Sequence, residues 1–132
     1  MKKIIVLSGK PNSGKSRTLR ELAPKIFGIE IYKPKVKVDL AISFKYKGKT
    51  IAIISIGDTL PQIRRYFDEV KGKFDILICA CRHTGVTYDF YKRLHGIDGY
   101  EVEFISKNNP TDEERERITS EIREKISKLF SQ

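Results

Sequence analysis

The sequence predicts an α/β protein: a three-layer sandwich on a mostly parallel five-stranded sheet, with one antiparallel strand in an edge hairpin. Three observations carry this. Short apolar runs rich in β-branched residues, such as Lys3 to Leu7 and Phe74 to Cys81, alternate along the chain with segments of helical spacing. Residues 36–46 alternate apolar and polar side chains, and a turn signal, Lys47-Gly48-Lys49, leads from them into a second apolar run, Thr50 to Ile56. The chain ends on a stripe of Ile118, Ile122, Ile126 and Phe130 at four-residue spacing, the mark of a helix with one face on a sheet. The 132 residues read as one domain, 1–132, without repeats, linkers or low-complexity stretches.

Each element has a local reason. Lys3 to Leu7 is apolar without alternation, as a strand covered on both faces should be. From Lys15 to about Phe27, Leu19, Leu22, Ala23 and Ile26 keep helical spacing; Pro24 should kink or end that helix, and Gly28 marks the exit. In the hairpin, Val36, Val38, Leu40, Ile42, Phe44 and Tyr46 share a face, so this arm is an edge strand, while Thr50–Ile56 is buried on both sides. Thr59 and Gln62 have the spacing of a capping box for a helix to about Val70. Phe74–Cys81 is a buried strand, Thr84–Leu94 a helix ended by Gly96, and Tyr100–Phe104 a second edge strand. Thr111 and Glu114 form another capping box, opening the last helix to Phe130.

Charge is uneven. The net charge is +9; residues 1–50 hold 13 Lys/Arg against 3 Asp/Glu, and residues 101–132 hold 6 against 8. A basic amino-terminal part fits a polyanionic partner such as nucleic acid, and equally fits a solvated basic face. Lys35, Lys37, Lys45, Lys47 and Lys49 near the hairpin could form a phosphate-binding ribbon, although edge strands use lysine to block aggregation. No apolar run approaches the roughly 20 residues that span a bilayer, and the Ile4–Leu7 run is too short for a signal peptide, so the expectation is a cytoplasmic protein with no membrane partner. Cys79 and Cys81, two apart in an apolar run, read as reduced packing residues; with His83 they also have the spacing of a metal site.

Residues 9–16 read GKPNSGKS and match G-x-x-x-x-G-K-[ST] between a predicted strand and a predicted helix. Gly9 and Gly14 let the backbone curl, and the amides of Lys10, Pro11, Asn12 and Ser13's loop turn inward as an anion nest, the proline itself contributing no N–H. The helix start adds its positive pole. In this pattern Lys15 reaches the β- and γ-phosphates, and the Ser16 hydroxyl ligates Mg²⁺. Arg17 follows directly and completes the set of cofactor-binding candidates.

On these residues the chain resembles the P-loop NTPases. The resemblance implies a nucleoside triphosphate with Mg²⁺ as cofactor, and phosphate chemistry at the carboxyl ends of the strands. Asp58, beyond the run Thr50–Ile56, is then the candidate magnesium carboxylate beside Ser16. Arg82, after Phe74–Cys81, is the candidate contact for the γ-phosphate or an acceptor, since a guanidinium suits phosphate geometry. Lys15, Asp58 and Arg82 are the catalytic candidates. His83 reads as a loop residue, and His95 as a cation favouring a helix carboxyl end.

The hairpin and Asp58-Thr59-Leu60-Pro61-Gln62 resemble Ras-like and translation-factor-like GTPases, whose segment reads Asp-Thr-Ala-Gly-Gln. Pro61 breaks the match, because it has no amide to offer a γ-phosphate. Ser106-Lys107-Asn108-Asn109 is not the Asn-Lys-x-Asp that reads guanine, so ATP is favoured over GTP. Thr59 stands where other P-loop ATPases carry a water-activating glutamate, so hydrolysis should be slow unless a protein partner or a second copy supplies missing groups. The expected function is a weak ATPase or nucleotide-dependent regulator. Alternatives are a kinase for a small molecule or nucleic-acid end, and a nucleotide-modulated nucleic-acid-binding module.

Overall fold

The structure, a computed structural model, describes residues 2–29 and 41–131. In chain order the elements are β1 (Lys2–Gly9), α1 (Lys15–Phe27), β2 (Ala41–Tyr46), β3 (Lys49–Ile54), α2 (Leu60–Val70), β4 (Ile76–Arg82), α3 (Val86–Leu94), β5 (Tyr100–Ser106) and α4 (Asp112–Phe130). The strands form one sheet in the order β2-β3-β4-β1-β5. β3, β4, β1 and β5 pair in parallel, and β2 pairs with β3 antiparallel. The two alternating segments lie at the two edges, as their one-sided patterns predict. The part of the first arm at 36–40 lies outside the described residues.

Period-two geometry divides the apolar residues between two cores. Ile5, Leu7, Ile51, Ile53, Ile76 and Ile78 meet Leu19 and Leu22 of α1 and Ile118, Ile122 and Ile126 of α4. Ile4, Val6, Ala52, Ile54, Leu77 and Cys79 meet Ile63 and Phe67 of α2 and Tyr91 of α3. Helices thus cover both faces of the sheet. Among the described residues no helix is long and apolar enough to cross a membrane.

Turn chemistry follows the sequence at the hairpin. Lys47 and Gly48 have φ of 49° and 84°, and Tyr46 pairs with Lys49, giving a two-residue turn with both residues left-handed. Elsewhere three local expectations are corrected. Pro24 does not end α1, which runs to Phe27; in the last turn its missing N–H removes only one bond, and termination falls to Gly28 at φ 67°. The Thr59 hydroxyl makes no cap bond to the backbone; it donates to Gln62 Oε1 at 3.0 Å, so the box closes between side chains. The helix α3 begins at Val86 and not at Thr84, with Gly85, at φ 92°, as its cap. At α4 the Thr111 hydroxyl accepts from Glu114 N–H at 3.3 Å, but the Glu114 carboxylate reaches back past Thr111 to Asn108 and Asn109.

His95 is also redirected: its Nδ1 accepts from Val102 N–H at 3.0 Å, so the ring satisfies the outer edge of β5. Its contribution is this hydrogen bond to the strand.

The burial of α4's stripe against one face of the sheet makes a stability prediction. Ile122→Ala, at a site with no exposure, should cost about 2–5 kcal/mol. In urea unfolding the midpoint should fall while the slope is unchanged.

Candidate functional site

β1 is the strand that aims the glycine-containing loop. It is paired along its length with β4 on one side and β5 on the other, and its last residue, Gly9, is the register partner of Arg82. Between Gly9 and the first residue of α1, Lys15, the loop turns on two left-handed residues, Asn12 at φ 64° and Gly14 at φ 86°. Ser13 N–H closes the turn on Lys10 O at 3.3 Å. Gly14 needs its positive φ; Gly9 has a steric reason, because a Cβ there would overlap the backbone carbonyl of Lys107.

The Lys15 side chain folds back under the loop. Its Nζ donates to Gly9 O at 3.0 Å and Lys10 O at 2.9 Å. Lys15 is buried, whereas Lys10, Pro11 and Asn12 are exposed and Ser13 is buried with its hydroxyl unpartnered. Burial lowers the Lys15 pKa below the ordinary lysine value; Asp58 and Cys81 oppose the shift, and Arg82 and Lys107 add to it. The start of α1 has no side-chain cap and no acidic residue in its first turn, while α4 opens with Asp112, Glu113 and Glu114. Of these two helix ends, the one beside the loop keeps its positive pole uncompensated. Arg17 is exposed and turns along the helix to Glu21, with Nε 3.4 Å from Oε1.

Asp58 follows β3, which β4 separates from β1. Two strand spacings are about 10 Å, so the chain must travel sideways to bring this carboxylate near Lys15. Gly57 is where it does so: a Cβ there would overlap the carbonyl of Ala80, which means the backbone passes directly against β4. Asp58 is exposed beyond this crossing, and Arg82 Nε–H donates to its carbonyl at 3.0 Å. Arg82 is itself exposed, with its backbone N–H bonded to Thr87 Oγ1 at 3.0 Å. Lys15, Asp58 and Arg82 therefore share the carboxyl edge of the sheet, next to the loop.

Two contacts were not anticipated. The Ser16 hydroxyl donates to the backbone carbonyl of Ser55, the residue just past β3, at 3.2 Å. Lys107, just past β5, has no exposure and lies against Gly14. The signal for Lys107 was available: a polar residue at the carboxyl end of a strand beside β1 must meet the loop.

Cys81 is a buried thiol whose pKa is pushed up to about 12 by burial, against a smaller opposing pull from Lys15. It is thus protonated near neutrality and is no nucleophile. Among the described residues no group of three or more His, Cys, Asp and Glu side chains could hold a metal ion, so Cys79, Cys81 and His83 make no such centre. Comparison of the chain with known protein families, curated proteins and solved structures gave no match.

The loop geometry makes two predictions. Gly9→Ala should force β1 and the Lys107 backbone apart and destabilise the fold by about 1–3 kcal/mol, as overpacking does; urea titration checks it. Lys15 should titrate below the ordinary lysine value in an NMR titration, and Asp58→Asn should lower it further, since Asp58 is the leading opposing influence. The sign for stability follows. The unfolded chain holds the Lys15 proton more tightly than the folded one, so this group's contribution rises as pH climbs through the folded pKa towards 10.5.

Proposed function

We propose that the chain binds the phosphate tail of ATP, with Mg²⁺, on the loop between β1 and α1, and acts as a weak ATPase or a nucleotide-dependent regulator. One observation carries this reading. A buried lysine, Lys15, is held by loop carbonyls beneath a turn with two left-handed residues, at a helix start with no acidic or capping side chain. We read that combination as a positive seat at a helix start, and polyphosphate is the anion it suits. On this reading the sheet with helices on both faces is the three-layer sandwich of a P-loop NTPase.

The roles follow from chemistry at each position. Lys10, Asn12, Ser13, Gly14, Lys15 and Ser16 offer backbone amides, and Pro11 shapes the loop. The Lys15 ammonium meets the terminal phosphates. Ser16 and Asp58 supply hard oxygens of the kind Mg²⁺ takes, one a hydroxyl in the first turn of α1 and the other a carboxylate felt electrostatically by Lys15. Bound Mg²⁺ would neutralise charge on the phosphate oxygens. Arg82, exposed and in register with Gly9, would add a guanidinium to the terminal phosphate.

Slow turnover fits the residues around Asp58. The next residue, Thr59, is engaged with Gln62, so neither side chain is committed to a water molecule. A partner protein or a second copy would supply the missing base. GTP is disfavoured because the Ser106–Asn109 segment is occupied otherwise: Lys107 is buried and the Asn109 side chain bonds Glu114 at 3.2 Å. Phosphoryl transfer to a small molecule or nucleic-acid end is the second reading, favoured by the exposed Arg82.

Titration calorimetry with ATP and GTP, with and without Mg²⁺, tests the proposal. Magnesium-dependent ATP binding is expected, followed by slow phosphate release on the same samples. Lys15→Ala should weaken binding roughly 10- to 100-fold, the worth of one charge-assisted hydrogen-bonding group. Unchanged affinity in that variant would sink the proposal.

A further inference from the structure

The segment between β5 and α4 is gathered by hydrogen bonds around Lys107 and Glu114, and it touches both glycines of the loop. Lys107 N–H donates to Ser8 O at 2.7 Å, continuing the β1–β5 pairing by one residue. Its carbonyl is the atom that excludes a side chain at Gly9. The Lys107 side chain then runs beneath Gly14: Cε and Nζ lie 3.4 Å and 3.6 Å from where a Cβ on Gly14 would stand, with Pro110 Cα at 3.5 Å. Nζ donates to Asn109 O at 2.6 Å and is 3.7 Å from Glu114 Oε1. The same carboxylate oxygen accepts from Asn108 N–H at 2.6 Å and Asn109 N–H at 3.1 Å.

A lysine with no exposed surface is costly, because burial disfavours its charge. Burial lowers its pKa, against the pull of Glu114. A neutral residue of the same length would fill the space without that cost. What the charge adds is position: it sits between the Glu114 carboxylate, which gathers the connection, and the crest of the loop.

We infer that Lys107 is a positioning residue for the loop, a buried cation that clamps the β5–α4 connection under Gly14 and raises the positive potential where phosphate docks. This rests on the phosphate-binding reading above. Lys107 makes its contribution through the loop backbone and the field at the seat; it touches no reacting atom.

Sodium tripolyphosphate and orthophosphate are the probes, titrated against wild type, Lys107→Met and Lys107→Gln. Both variants keep most of the side-chain volume and remove the charge. In a folded variant, tripolyphosphate binding should weaken about tenfold, and orthophosphate binding by less, because a lost charge matters more to the more highly charged anion. Disorder of the loop alone would weaken both alike. Amide exchange at Gly14 should quicken in the ligand-free variant. A folded variant that binds tripolyphosphate as wild type does overturns the inference and leaves the phosphate-binding reading standing. Should neither variant fold, the Lys107 Nζ resonance of wild type decides: it should move on saturation with tripolyphosphate, and a stationary resonance overturns the inference. Wild type that binds no tripolyphosphate overturns the phosphate-binding reading, and this inference with it.

Discussion

β1 is hydrogen-bonded along both edges and covered on both faces, and the carboxyl edge of the sheet takes its geometry from that strand. Its parallel registers with β4 and β5 set Gly9 beside Arg82 and Ser8 beside Ser106. The loop cannot drift, because the strand that launches it has no freedom to shift by one residue without turning Ile4 and Val6 into the other core. Everything that meets at the loop, from Arg82 on one side to Lys107 on the other, is placed by this pairing.

The edge concentrates positive charge that the fold must tolerate. Lys15 and Lys107 are both buried and both pulled below the ordinary lysine value, first of all by burial. Each retains partners for its ammonium: loop carbonyls for Lys15, and Asn109 O with Glu114 for Lys107. The Lys107 charge adds to the lowering at Lys15, so a negative charge arriving there would favour the protonated ammonium. The apolar cores on the two faces supply the stability that such an arrangement draws on.

The fold was legible where patterns were strong. Continuous apolar runs identified β3 and β4 as interior strands, alternation identified β2 and β5 as edges, and four-residue spacing identified the buried face of α4. Caps were less legible. Thr59 and Thr111 both stand at caps with the same box spacing, yet only the Thr111 hydroxyl bonds the helix backbone, and at α3 the strand β4 runs on to Arg82 so that Gly85 takes the corner. Within the site, the octet and the strand-end rule located Lys15, Asp58 and Arg82. The partner of Ser16 was not legible, because it is a backbone carbonyl, and carbonyls carry no residue identity. Nor was the sideways crossing at Gly57, since the order of parallel strands depends on crossovers that a single sequence leaves open.

The antiparallel hairpin has a practical consequence for handling the molecule. Because β3 runs parallel to β1 and begins at Lys49, the turn at Lys47 and Gly48 lies at the opposite end of the sheet from the loop. Gly48 has open space around it, with nothing within 4 Å of where a side chain would start. A dye, an affinity tag or a graft of several residues placed at this corner would sit a full strand length from Gly9, Asp58 and Arg82. The corner is thus the natural handle for immobilising or labelling the protein while its opposite edge is left in solution.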